Sequence, residues 1–131
     1  MTKPISPERF PLHLGVGARA VPQPEFDGTE WYAAYAERHA ADGREARLVS
    51  LYSFNASWTN WERHPAGDEA VICIAGEILL IQELPDETRR VALRAVEYAV
   101  NPQGIWHTAD VAGHATALFI TAGLGTVHRP R

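Results

Sequence analysis

A rhythm of short strand-like segments after Arg44 constrains the fold of this chain more than any other feature. In residues 48–54, Leu48, Ser50, Tyr52 and Phe54 alternate with Val49, Leu51 and Ser53, so that in a strand the two sets lie on opposite faces. Similar segments follow, separated by glycine, proline, asparagine or aspartate, near 58–64, 69–75, 77–83, 89–97, 105–110 and 115–121. Short strands with turn signals between them predict an all-β antiparallel sandwich or barrel.

Residues 1–45, which precede these strand-like segments, have a different pattern. Residues 1–28 carry five prolines, which predicts an extended arm with one short edge strand around Phe10–Leu14. A single short helix is expected over residues 28–42, with Asp27 and Glu30 as a capping box and Gly43 as the stop. The sequence therefore predicts an N-terminal arm and helix (1–45), a barrel (46–122) and a solvated tail (123–131).

Length, charge and cysteine usage narrow the classes of function. The 131 residues suit one domain, expected to span residues 1–131. Sixteen acidic residues against twelve basic ones, with no basic run, argue against nucleic-acid binding. We find neither a stretch long enough to span a membrane nor a secretion signal, and Cys73 lies in an apolar run as expected of a buried thiol. A cytoplasmic protein that does not bind membranes is expected.

Two short stretches bring histidines and carboxylates to the strands. Glu62 and His64 are two residues apart, so in a strand both side chains point to the same face. Glu69 follows a Pro-Ala-Gly turn and opens the next strand, and His107 follows the turn Pro102-Gln-Gly104. The turns let Glu62, His64, Glu69 and His107 converge inside a barrel. His114 lies beside Gly113 and is expected in a turn, outside such a cluster.

These stretches resemble the two motifs of the cupins. In the first cupin motif, His64 stands at the second histidine, Glu69 follows after four residues, and Gly76 closes the motif after six more. In the second motif, Pro102, Gly104 and His107 match. The chain departs from the family pattern at Ala56, Glu62, Val96 and Val111. The resemblance implies a double-stranded β-helix, or jelly-roll barrel, and carries the family's metal ligands to His64, Glu69 and His107. Glu62 stands where the family has a histidine.

The ligand types bear on which ion such a site would hold. Imidazole and carboxylate suit Fe, Mn, Zn or Ni as a divalent ion. With Glu62 bound, two carboxylates neutralise the ion, which favours Mn or Fe over Cu. The alternative is a metal-free barrel in which Glu62 pairs with Arg63 or Arg94.

The sequence leaves two classes of function open. One is a small metal-dependent enzyme, of oxygenase, isomerase or lyase type, that acts on a small polar molecule in the barrel. The other is a non-catalytic cupin that binds or senses a small-molecule ligand or a metal. Because small barrels leave sheet edges that need cover, a homodimer is also expected.

Overall fold

The computed structural model of this protein describes residues 3–131. These residues form ten strands and one α-helix. The first two residues of the predicted arm lie outside that range. The elements are β1 (Leu12–Gly15), β2 (Arg19–Pro22), α1 (Glu30–Arg38), β3 (Arg47–Phe54), β4 (Asn60–Arg63), β5 (Glu69–Glu83), β6 (Thr88–Arg94), β7 (Tyr98–Asn101), β8 (Trp106–Asp110), β9 (Ala115–Thr121) and β10 (Val127–Pro130). A 3₁₀ segment, Ala40–Glu45, follows α1.

The strands pair antiparallel in two sheets that share β5. Its first half pairs with β7 and β9, and β9 continues through β3 to β1 and β2. Its second half pairs with β6 and β8, and β8 continues through β4 to β10. Apolar side chains from both sheets, among them Val71, Leu80, Leu93 and Phe119, form the buried core. The predicted all-β jelly-roll barrel with one short helix is confirmed.

Gly76 lets β5 serve both sheets. Its φ of +72° lies in the left-handed region, and a Cβ there would stand 1.9 Å from the carbonyl oxygen of His114. A register shift between Cys73 and Ala75 adds the bulge that turns the strand. The separate strands predicted at 69–75 and 77–83 are therefore one bent strand, because the glycine bends the chain without reversing it.

The N-terminal region contains more pairing than its prolines suggest. Instead of one edge strand at Phe10–Leu14, the chain forms the hairpin β1–β2, in which β1 also pairs with β3 and β2 is the edge. The predicted helix over 28–42 is shorter: α1 ends at Arg38, and the 3₁₀ segment contains a non-helical Gly43. The expected capping box is wrong, because the N-cap is Thr29 and makes no side-chain cap bond.

Besides β2, two further short strands were not predicted. The segment expected at 89–97 ends early, and after a turn with Val96 at φ +64° the chain continues as β7. Residues 123–131 are mostly exposed, as expected of a solvated tail, but they are not free of the barrel, since β10 pairs with β4 over four residues. Residues 127–130 thus belong to the second sheet, although most of their side chains remain exposed.

Cys73 is fully buried in the core, as predicted. Burial raises the pKa of its thiol. No helix within residues 3–131 is both long and apolar enough to cross a membrane.

Candidate metal centre

Four side chains predicted from the sequence meet inside the barrel. Glu62 comes from β4, His64 follows that strand, Glu69 opens β5 and His107 lies on β8. One potential ligand atom of each lies within 4.8 Å of those of the other three. His64, Glu69 and His107 are buried, and Glu62 is partly exposed at the rim. The strand pairing explains the meeting, because Glu62 and His107 are direct neighbours across β4 and β8.

Glu69 is held by hydrogen bonds from both sides. Asn101 donates from Nδ2 to Oε1 at 3.0 Å, and Thr121 donates from Oγ1 to Oε2 at 2.6 Å. These two donors give partners to both oxygens of a carboxylate that is only 2% exposed. Each carboxylate oxygen can accept more than one bond, so Glu69 retains acceptor capacity toward the cluster.

His64 is held in one tautomer by Thr126. The Thr126 hydroxyl donates its one hydrogen to the carbonyl oxygen of Gly123 at 2.8 Å, so it accepts from His64 Nδ1 at 2.7 Å. The opposite nitrogen, Nε2, stands 3.0 Å from Glu62 Oε1 and 3.1 Å from Glu69 Oε2. Nε2 has the geometry of a ligand atom facing two carboxylates.

The charges around His64 act on its proton. Burial lowers the pKa of this imidazole, but the facing carboxylates of Glu62 and Glu69 outweigh burial and raise it to about 9. For Glu62 the directions are reversed. Burial raises the pKa of this carboxyl, but the adjacent His64 outweighs burial and holds the pKa below its usual range. A positive charge between the two carboxylates therefore stabilises the cluster. Either the protonated His64 ring or a metal ion can supply that charge.

His107 is the least satisfied polar side chain of the cluster. It is 1% exposed, and neither ring nitrogen has a hydrogen-bond partner. Burial lowers its pKa, so the ring is neutral near pH 7. Its Nε2 lies 3.7 Å from Glu69 Oε1. A buried neutral imidazole without partners is costly unless its lone pair binds something.

His128 is the residue of this site that sequence reasoning missed. It lies on β10 directly opposite Glu62, and its Nε2 is 2.9 Å from Glu62 Oε2. The arginines considered as partners of Glu62 are engaged elsewhere: Arg94 pairs with Glu77, and Arg63 lies over the ring of Trp106. The only sequence signal for a strand here is an apolar residue, Val127, next to a polar one, His128, after a turn. Residues 127–130 are too few for such a pattern to predict a strand.

The donor set fits a divalent ion. Two imidazoles and two carboxylates are ligand types accepted by Mn, Fe, Ni and Zn, and an ion held by them would supply Lewis-acid chemistry at this place. His64 Nε2 and His107 Nε2 are buried and lack hydrogen-bond partners, which suits atoms that would bind a metal. The hydrogen bonds from Thr126 to His64, and from Asn101 and Thr121 to Glu69, supply the outer shell that metal ligands usually have.

A second group with ligand-like atoms, formed by His13, His39 and Asp42, is arranged differently. His13 contacts the Tyr35 hydroxyl and Asp42 Oδ2, both at 2.6 Å. Arg19 donates to both oxygens of Asp42 at 2.7 Å. The guanidinium already balances the carboxylate, so this group is a hydrogen-bonded clamp between the hairpin and the segment after α1.

His114 stands outside the centre, as predicted. It lies in the turn before β9, where its backbone carbonyl packs against Gly76. Its Nε2 is 3.4 Å from the Thr116 hydroxyl at the surface.

Solved structures place this architecture in a known fold. Oxalate decarboxylase from Bacillus subtilis matches with a TM-score of 0.57 at 13% identity, over 72% of this chain and 26% of that one. An oxalate oxidase matches with a TM-score of 0.54 at 24% identity, over 62% of this chain and 45% of that one. Both are cupins. The chain has a cupin fold.

The cupin fold is the extent of the likeness at these identities. A cupin-2 domain protein from Shewanella frigidimarina also matches, with a TM-score of 0.48 at 21% identity, over 65% of this chain and 71% of that one. This chain spans less than half the length of the oxalate oxidase and about a quarter of the oxalate decarboxylase. No protein-family model matches the sequence. No curated protein matches it either.

Proposed function

We propose that this protein is a metal-dependent enzyme that acts on a small polar molecule in its barrel, with Glu62, His64, Glu69 and His107 as the metal ligands. One observation carries the proposal. Nε2 of His64 and Nε2 of His107 are buried without hydrogen-bond partners and face the carboxylates of Glu62 and Glu69. Without a cation, this arrangement holds the buried carboxylate of Glu69 and the partly buried one of Glu62 beside an imidazole that has no partner.

Charge balance favours manganese or iron as the ion. Two carboxylates and two neutral imidazoles cancel the charge of a divalent metal, which suits a harder ion better than copper. The Mn(II) centres of Bacillus subtilis oxalate decarboxylase support the proposal that this fold accommodates such an ion. Zinc and nickel accept the same ligand types and are included in the test.

The residues around the ligands have separable roles. Thr126 presents Nε2 of His64, and Asn101 and Thr121 aim the carboxylate of Glu69. His128 is 56% exposed at the rim and contacts Glu62, so it connects this carboxylate with solvent. When bound, a divalent ion supplies a Lewis acid for an oxygen-bearing substrate. A polar side chain that joins a proposed ligand to solvent favours an enzyme over a protein that only stores or senses a ligand.

The first test is metal content. The wild-type protein and the variants His64→Ala, His107→Ala and His114→Ala are purified identically and measured by mass spectrometry. Loss of an imidazole should remove most of the metal from the first two variants, and His114→Ala should retain it. Equal metal content in all three variants would overturn the proposed centre.

The second test concerns turnover. Protein loaded with Mn or Fe is incubated with small hydroxy, keto and carboxylic compounds, and products are followed by NMR. Conversion that is lost in His107→Ala supports the enzyme. Binding of a compound without conversion of any would favour the non-catalytic alternative.

A further inference from the structure

An aromatic wall with two unpartnered polar atoms beside it adjoins His107, one of the four proposed metal ligands. Phe54, Trp58 and Phe119 pack on one another with ring centroids 5.7–6.2 Å apart, and the Trp58 ring is 6.2 Å from that of His107. Trp58 Nε1 and Gln82 Oε1 are both buried without a hydrogen-bond partner. Since buried polar groups are nearly always paired, these two atoms mark where a ligand would be recognised.

The orientation of Gln82 is fixed by its neighbours. Its Nε2 donates to the carbonyl oxygen of Val100 at 2.8 Å and to Asn101 Oδ1 at 2.9 Å. Because Val100 offers only an acceptor there, the amide cannot be flipped. Oε1 is therefore the free end of a side chain that is 1% exposed, and Gln82 lies directly opposite His107 across β5 and β8. It can accept a hydrogen bond from a hydroxyl or an N–H of a ligand.

Trp58 provides the complementary group. The indole nitrogen is a donor only, so its partner must be an oxygen such as that of a carbonyl. The Trp58 amide donates to the carbonyl oxygen of Ala109, which anchors the residue beside β8 two positions beyond His107. Trp58 and Gln82 both lie beside His107. Trp58 thus presents a hydrogen-bond donor and Gln82 an acceptor.

The charge of the centre selects between neutral and anionic ligands. A divalent ion with Glu62 and Glu69 has no net charge left, so a carboxylate gains little attraction and loses its hydration on entering a buried, aromatic-walled site. An uncharged ligand avoids that cost.

We propose that the barrel interior binds a small uncharged compound with a hydroxyl next to a carbonyl, the carbonyl accepting from Trp58 Nε1 and the hydroxyl donating to Gln82 Oε1. The proposal rests on the metal centre proposed above. It assigns Trp58 and Gln82 as residues that determine specificity.

The test uses hydroxyacetone as the probe in protein loaded with Zn(II), which is diamagnetic and redox-inactive. Acetone lacks the hydroxyl, and glycolate replaces the ketone by a carboxylate. Among the four tryptophans, the indole signal of Trp58 is assigned in proton–nitrogen NMR spectra as the one lost in Trp58→Phe. We expect hydroxyacetone to shift this signal and to bind about tenfold tighter than either analogue.

The variants separate the roles. Trp58→Phe and Gln82→Met should each weaken hydroxyacetone binding about tenfold at unchanged zinc affinity, whereas Trp61→Phe, on the neighbouring strand, should match wild type. Glycolate binding tighter than hydroxyacetone, or an unmoved Trp58 signal, would overturn the proposal. So would a loss of zinc affinity in Gln82→Met, which would make Gln82 a support for His107. If zinc itself fails to bind, the metal centre is wrong, and a Trp58 shift in the metal-free protein would still support the subsite.

Discussion

Thr126 accepts a hydrogen bond from His64 Nδ1 because its own hydrogen is already given to the carbonyl of Gly123. The neutral imidazole is therefore protonated on Nδ1 and offers its lone pair at Nε2, toward Glu62 and Glu69. Thr126, which lies 62 positions after His64 in the sequence, thus decides which nitrogen of His64 faces the candidate metal centre.

The first prediction follows from that bond. Thr126→Val keeps the shape of the side chain but removes the acceptor, so the favoured tautomer and ring orientation are lost. We expect metal affinity to fall about 10- to 100-fold, measured by competition with a chelator. Thr126→Ser retains the hydroxyl and should stay within about threefold of wild type under the same outer-shell reasoning. Equal losses in both variants would contradict the role of the hydroxyl.

The second prediction concerns the stability of chelator-treated protein. The pKa of His64 is raised to about 9 in the fold, so its proton stabilises the folded state fully below the unfolded value near 6.5. That stabilisation is lost as the pH rises through about 9. Because the pKa of Glu62 is lowered, its protonation affects the stability of the fold only at acid pH, below the interval from pH 6.5 to 9. Melting temperatures should therefore decrease between pH 6.5 and 9.

The control for this pH effect is His64→Gln, which cannot take up the proton. Its melting temperature should change less over the same interval, and added metal should flatten the wild-type curve. Parallel curves for wild type and variant would show that another group causes the decline.

The third prediction compares two glycines that both have a left-handed backbone. At Gly76, a Cβ would overlap the backbone of His114, whereas Gly104, with φ +73°, has nothing within 4 Å of a Cβ. Gly104→Ala should lower the free energy of unfolding by about 1–2 kcal/mol, the cost of the conformation alone. Gly76→Ala should cost about 4 kcal/mol or more, or prevent folding. Similar losses in denaturant titrations would contradict the role assigned to the bend.

The sequence predicted this fold well where the information is local. Short strand-like segments bounded by turn residues, such as 48–54 and 115–121, depend on neighbouring residues alone, and both are strands with almost the predicted bounds. The four residues of the candidate centre were found because two turns, before Glu69 and before His107, return the chain to the barrel interior.

What the sequence did not reveal depends on distant partners. β10 contains an arginine and a proline and is exposed on most of its surface, so nothing local identifies it as a strand. Its place is set by pairing with β4, more than sixty residues earlier in the chain. His128 was missed for the same reason.

The fourth prediction is a homodimer. The hairpin β1–β2 pairs with β3 of its own chain, so we place the contact on the outer face of the first sheet instead. Tyr98, Ile72 and Leu118 are cross-strand neighbours there, and Tyr98 is 70% exposed. An uncharged apolar face can pair with its own copy across a two-fold axis. Light scattering should give twice 14.5 kDa for wild type.

Variants locate that contact. Tyr98→Glu should yield the monomer mass, while Leu124→Glu, at an exposed apolar residue in the turn before β10, should remain dimeric. A wild-type mass of 14.5 kDa at micromolar concentration would contradict the homodimer.

The last prediction asks whether Glu62 is a ligand or only an ion-pair partner. Glu62→Gln keeps the shape of the side chain and removes its charge. If Glu62 binds the ion, the variant loses metal affinity, and the remaining centre becomes more positive, so glycolate should bind it better than it binds wild type. Since Glu62 also contacts His64 and His128, an ion-pair role alone would leave metal content unchanged and lower the melting temperature of the metal-free protein. Calorimetric titration with Mn(II), with Glu83→Gln as the control, separates the two, because Glu83 pairs with Arg129 on the same sheet but lies outside the cluster.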